Sequence, residues 1–192
     1  MTDYRQYNVR QAVLRPPKTA LLVIDMQRYF HGLASSILNN TLSLVQACAK
    51  LDVPVVFTRH GHRDLETDGG MLAVWWGDGI IYGSHDWEIM DELKSFADGS
   101  LIDKNRYSAF FGTGLEKRLE DLGVEDLIIC GVMTNCCCET TARDAFMRDY
   151  RVFFVADATA TANDDLQLCT LKNLAYAFAH IVTTADLLSQ LS

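Results

Sequence analysis

The chain has 192 residues, 49% apolar and 22% charged, a balance that fits one folded domain with a sizeable core and excludes a disordered chain. Its net charge of −8 argues against a nucleic-acid partner, which selects for a basic stripe. No run approaches the roughly 18 to 20 apolar residues of a membrane span, so neither nucleic acid nor membrane is an expected partner.

The polar arm, residues 1–17, has no apolar stretch of the kind an export signal needs. A reducing cytoplasm is therefore expected, with the six cysteines (Cys48, Cys130, Cys136, Cys137, Cys138, Cys169) as free thiols. "TALLVID" (19–25) is an apolar run closed by an acid and predicts a strand buried on both faces. "SSILNNTLSLVQACAKL" (35–51) carries apolar residues at helical spacing, and "VPVVFTR" (53–59) predicts a second buried strand. Residues 60–85 hold most of the histidines and the pair Trp75-Trp76, and they read as a long functional loop.

A short helix at 87–96 leads to a third strand, "SLIDKN" (100–105). "GTGLEKRLEDLG" (112–123) predicts an amphipathic helix stopped by Gly123. "DLIICGV" (126–132) is the fourth strand, and the cysteine run 136–138 is expected in the first turn of the helix after it, capped by Thr134 or Asn135. A fifth strand (151–158), a helix (165–179), a short sixth strand (180–184) and a last helix follow. Strands alternating with helices predict one α/β domain over 1–192 with a mainly parallel sheet, and no linker or repeat divides it.

Ligands in such folds sit beyond the carboxyl ends of the strands, where Asp25, Lys104 and the cysteine run all fall. Three adjacent thiols can be core filler, a redox device, a metal site or one nucleophile with two bystanders. Zinc ligands usually have residues between them, which disfavours a metal, and residues about 100° apart on a helix cannot all point into one crevice. Asp25 alone reads as a cap and Lys104 alone as a loop charge. Together with a helix-start thiol they form an amide-cleaving set: the thiolate attacks, the acid shuttles the proton, the lysine fixes the charges, and backbone N–H groups hold the oxyanion.

Three ordered motifs, "LLVIDMQRYF" (21–30), "DKNRYSAFFGTGL" (103–115) and "GVMTNCCCETTARDAF" (131–146), followed by "FFVADATA" (153–160), resemble the isochorismatase-like cysteine hydrolases over nearly the whole chain. The resemblance implies Cys137 as nucleophile, seventh in G-V-x-T-x-x-C, with Asp25 and Lys104 as its partners. It also implies a cis peptide between Val132 and Met133, and an oxyanion hole from the N–H groups of Met133 and Cys137. The implied fold is a Rossmann-like three-layer sandwich, a six-stranded sheet in the order 3-2-1-4-5-6 flanked by helices, in a homodimer or homotetramer. Cys136 and Cys138 then read as packing neighbours whose thiols face elsewhere.

The ether-cleaving isochorismatases lack a cysteine at the seventh position, so Cys137 favours the amidase branch. "ILNN" (37–40), "FTRHGH" (57–62), "YSAF" (107–110), "CCETTARDAF" (137–146) and "NLAYAFA" (173–179) further resemble plant-type nicotinamidases. That implies hydrolysis of nicotinamide to nicotinate and ammonia through a thioester. The alternatives are an N-carbamoyl or ureido substrate, an isochorismatase-type ether hydrolase, or a non-catalytic thiol sensor. Phe30, Trp75, Trp76 and Tyr107 are the expected substrate contacts, and Arg28, Arg59 or Arg106 would receive a carboxylate if the substrate is an acid. No cofactor is required by this chemistry. Microbial nicotinamidases, however, bind zinc, iron or manganese through an Asp-x-His pair after the second strand. Here His60 and His62 stand at that pair, with Asp64 or His85 to complete a metal set. The other reading is a metal-free segment in which one histidine bonds substrate or solvent.

Overall fold

The structure, a computed structural model, describes residues 3–10 and 12–191. Along the chain run β1 (Thr19–Ile24), α1 (His31–Ala34), α2 (Leu38–Lys50), β2 (Val55–His60), α3 (Leu65–Asp68), α4 (Gly70–Trp76), α5 (Asp91–Ala97) and β3 (Leu101–Lys104). They are followed by α6 (Leu115–Asp121), β4 (Asp126–Val132), α7 (Glu139–Phe146), β5 (Arg151–Ala160), α8 (Asp164–Ala177), β6 (His180–Val182) and α9 (Thr184–Gln190). The six strands form one sheet in the order β3-β2-β1-β4-β5-β6, with every neighbouring pair parallel.

The apolar runs are continuous because both faces of the sheet are covered. β1 is buried at all six positions, and alternate residues serve opposite layers. Leu21 and Val23 join a core with Leu44 and Cys48 of α2, Leu93 of α5 and Leu187 of α9. Ala20, Leu22 and Ile24 face Leu115 and Leu119 of α6, Ala142 of α7 and Leu174 of α8. That is a three-layer sandwich with β1 and β4 at its centre.

The N-terminal arm lies along the sheet rather than hanging free of it. Asn8 exchanges two hydrogen bonds with the backbone of Ile181 in the edge strand β6, and the Leu14 N–H donates to the Gln190 side chain. This occupies edge groups that would otherwise offer a pairing template. Within the arm, positions 1, 2 and 11 lie outside the described residues.

Two expectations are corrected. Residues 60–85 are not one loop: β2 continues through His60, and α3 and α4 follow. The regular helix after β4 begins only at Glu139, because residues Thr134–Cys138 form a π-helical turn with no side-chain cap. Neither Thr134 nor Asn135 caps a helix there; the Asn135 side-chain Oδ1 instead accepts from the Thr161 hydroxyl at 2.6 Å.

Candidate active site

The parallel order places the carboxyl ends of β1, β2, β3 and β4 side by side. Ile24 pairs with Gly131, and His60 with Lys104. Immediately past β1 the chain turns sharply at Asp25, a non-glycine residue with φ +49°. Such backbone is costly and concentrates at functional sites. Thr58, fully buried, holds the turn from both sides: its hydroxyl donates to Asp25 Oδ1 at 2.6 Å and accepts the Asp25 N–H at 3.1 Å.

Lys104 reaches inward from β3 with its ammonium fully buried. It lies 2.7 Å from Asp25 Oδ2 and donates to Cys137 Sγ at 3.3 Å and to the Arg106 carbonyl at 3.1 Å. Burial works against its charge, but Asp25 and Cys137 outweigh burial and hold the ammonium above its ordinary range. Cys137 behaves oppositely. Burial pushes its thiol up, Lys104 pulls it down, and the Asp25 carboxylate adds to the rise. At rest Lys104 is therefore an ammonium and Cys137 a thiol.

The π turn fixes the thiol. The N–H groups of Cys136 and Cys138 both donate to the Met133 carbonyl, at 3.1 and 3.2 Å, and the Val132–Met133 peptide is cis. Cys138 turns into the core. Cys136 does not face elsewhere as expected: it lines the same pocket as Cys137, beside the Tyr107 hydroxyl. The wider π turn sets neighbouring side chains closer in direction than an α turn would.

The pocket above Cys137 has a free volume of about 160 Å³. Its apolar wall is Tyr29, Phe30, Leu72, Trp76, Ile80 and Met133, and its polar groups are His60, His62, Asp78, Tyr107 and Cys136. Trp76 Nε1 donates to the Tyr107 hydroxyl at 2.8 Å, joining α4 to the segment after β3. Phe30, Trp76 and Tyr107 line this pocket. Trp75 does not: it is 77% exposed on the outer side of α4 and takes no part in the wall.

None of the three arginines faces the pocket. Arg28 bonds His85 and Asp91, Arg59 pairs with Asp103 and stacks on Trp87 at 3.5 Å, and Arg106 donates to the Asp68 and Asn105 carbonyls. Among the described residues, the wall contains no arginine or lysine.

The histidine pair is well built but does not assemble a metal site. His62 Nδ1 lies 3.2 Å from Asp68 Oδ1, and the His60 and His62 rings meet edge to face at 5.1 Å. Asp64, expected as a further ligand, caps α3 through the Glu66 N–H, while His85 is exposed beside Arg28 and Asp86. No group of three His, Cys, Asp or Glu side chains among the described residues is placed to hold a metal ion. Burial and the Lys104 charge bring the His60 pKa down to about 4, so its ring is neutral near pH 7.

Gln27 was not singled out by its sequence. Fully buried, it donates through Nε2 to the His60 and Trp87 carbonyls at 2.9 and 2.8 Å and accepts the His60 N–H at 2.8 Å. A glutamine close behind a buried apolar run, after Asp25 and Met26, was the one available signal.

A model of the isochorismatase domain matches residues 19–186. The chain is 49% identical over 181 residues to Nicotinamidase 3 of Arabidopsis thaliana, covering 93% of this chain and 91% of that one. A cysteine hydrolase from Pseudomonas syringae pv. phaseolicola superposes with a TM-score of 0.88 at 29% identity, over 95% of this chain and 98% of that one. N-carbamoylsarcosine amidase from Thermoplasma acidophilum superposes at 0.75 with 26% identity, over 87% and 96%.

Proposed function

We propose, on the premise that the chain belongs to the isochorismatase family of hydrolases, that it is a cysteine amidohydrolase converting nicotinamide to nicotinate and ammonia. The observation that carries this reading is the buried Lys104 ammonium touching both the Asp25 carboxylate and the Cys137 thiol on the floor of an apolar pocket.

In the proposed reaction, Cys137 Sγ attacks the amide carbonyl carbon while its proton passes to Asp25. The carbonyl oxygen becomes an oxyanion facing the N–H groups of Met133 and Cys137, two residues of the pocket wall. Collapse breaks the C–N bond, and Asp25 returns the proton to the departing nitrogen as ammonia. Water then attacks the thioester, giving its proton to Asp25, and the acid leaves as the thiol reforms. Lys104 stays an ammonium throughout, compensating the charge that moves between sulfur and carboxylate.

The pocket supports a flat, uncharged amide. Phe30, Trp76 and Tyr107 offer aromatic surface, and the arginines that an N-carbamoyl acid would need are engaged elsewhere. No step is routed through a metal, since the side chains near His60 and His62 do not form a donor set for one. Subunit pairing as a homodimer or homotetramer is part of the proposal, supported by the apolar outer side of α4. A reducing cytoplasm is the compartment consistent with six free cysteines.

The deciding experiment measures ammonia release from nicotinamide, pyrazinamide, an N-carbamoyl amino acid and a ureido acid. Turnover of the two pyridine-type amides, abolished in Cys137→Ala, is expected. Preference for the carbamoyl or ureido acids would overturn the substrate assignment.

A further inference from the structure

We propose that Thr58 is a positioning residue for the reaction: its buried hydroxyl locks the carboxyl group of Asp25 in the orientation that keeps the acid beside the Cys137 thiol. The inference rests on the amidohydrolase reading above and adds to it a residue outside the pocket wall.

Thr58 sits where the sheet stops holding the chain. β1 and β2 are paired up to Val23 and Phe57, and the backbone leaves the sheet at Asp25 with φ +49°. The Gln27 N–H closes the turn on the Asp25 carbonyl at 2.7 Å. The Asp25 N–H must then find its partner off the strand ladder. Thr58 Oγ1 accepts it at 3.1 Å and donates to Asp25 Oδ1 at 2.6 Å. The two bonds fix each other. An amide N–H can only donate, so the hydroxyl must accept there, and its single proton is directed at the carboxyl oxygen. Threonine is also stiff about χ1, which leaves the hydroxyl little freedom to swing away.

The other carboxyl oxygen is held by charge alone. Oδ2 lies 2.7 Å from Lys104 Nζ but accepts no aligned hydrogen bond, and the same Nζ donates to Cys137 Sγ at 3.3 Å. The carboxyl group is within hydrogen-bonding reach of the thiol. Rotation about χ2 of an aspartate is intrinsically soft, so the directional restraint on this one is the Thr58 hydroxyl. In the reaction, the proton leaves Sγ for the carboxyl group as the S–C bond forms, and it passes to the nitrogen as the C–N bond breaks. Thr58 keeps its own proton throughout. Such transfers lose rate steeply when the groups are misplaced. Because Thr58 is fully buried and absent from the wall, its loss should alter turnover rather than substrate capture.

The test measures kcat and KM for nicotinamide, and the solvent deuterium isotope effect on kcat, in the wild-type chain, Thr58→Val, Thr58→Cys and Thr58→Ser. Thr58→Val keeps the branched shape and removes the hydroxyl. Its kcat is expected to fall by roughly tenfold to a hundredfold, with KM within about twofold of the wild type. The isotope effect should grow, because a misplaced acid makes proton transfer the slower step. Thr58→Ser restores the O–H and should recover most of kcat and the wild-type isotope effect. Thr58→Cys, with only a weak S–H donor, carries the same comparison if Thr58→Val does not fold. The inference is overturned if the variants lacking the hydroxyl keep the wild-type kcat, or if KM rises in place of a fall in kcat. It is equally overturned if Thr58→Ser fails to recover kcat, or if kcat falls with an unchanged isotope effect, as a loss of packing alone would produce. A wild-type chain that releases ammonia from no amide overturns the amidohydrolase reading and the inference with it, which is a separate and recognisable result.

Discussion

The three cysteines of the run differ in what surrounds each sulfur. Cys138 is enclosed by core, Cys136 shares the pocket with Tyr107, and Cys137 meets the Lys104 ammonium. Because burial raises the Cys137 pKa, the thiolate is scarce at neutral pH in the free chain. Alkylation by iodoacetamide should therefore accelerate steadily from pH 7 to pH 9, by close to tenfold per unit, as the thiolate fraction grows. Replacing Lys104 by methionine removes the one group that opposes the rise, so the variant should alkylate more slowly at every pH. Peptide mapping by mass spectrometry reads both effects at Cys137. A rate that levels off below pH 8 would show a preformed thiolate and contradict the resting state derived above. In the sequence, the family resemblance is what singles out Cys137, seventh in the pattern that begins at Gly131. It missed Cys136 as a wall residue, because its position depends on a hydrogen-bond pattern of the turn that no side chain announces.

At the scale of elements, the closeness of β1 and β4 is what lets Asp25 and Cys137 share a site. Gly131 makes that approach possible. It has φ +116°, and a Cβ placed on it would stand 2.0 Å from the Ile24 carbonyl oxygen, with no side chain that could yield instead. Gly131→Ala must therefore push two central strands apart or break their register, at a cost of about 4 kcal/mol or more. The expected outcome is a chain that is insoluble or melts far below the wild type, measured by thermal denaturation followed by circular dichroism. A variant with an unchanged melting temperature would mean that β1 and β4 are not this close. The strands were legible because burial on both faces leaves an apolar run with an unambiguous length. α3 and α4 were not, since glycines at 69, 70 and 77 bracket the segment and α4 has no fully buried side chain to mark a core-facing stripe. Its tryptophans suggested a pocket, and only Trp76 belongs to one.

For the molecule as a whole, no helix among the described residues is long and apolar enough to cross a membrane, so its exposed apolar groups call for another account. Met71, Val74 and Trp75 are 70%, 74% and 77% exposed, and their i, i+3, i+4 spacing puts them on one face of α4. An apolar surface of this kind marks an interaction site more often than a solvated face. A second copy of the chain is the proposed occupant, and the opposite residues of the same short helix, Leu72 and Trp76, line the pocket. Assembly and substrate binding should then be linked. Sedimentation equilibrium is expected to give a dimer or tetramer for the wild type and a monomer for Trp75→Asp. Because that side chain contacts no core, the melting temperature of the separated chain should fall only by what assembly itself contributed. The Trp75→Asp monomer should show a raised KM for the amide with a smaller change in kcat, since α4 loses its support while Asp25, Lys104 and Cys137 keep theirs. A wild-type chain that is monomeric at every concentration would remove this account, and a monomeric variant with an unaltered KM would separate assembly from the pocket.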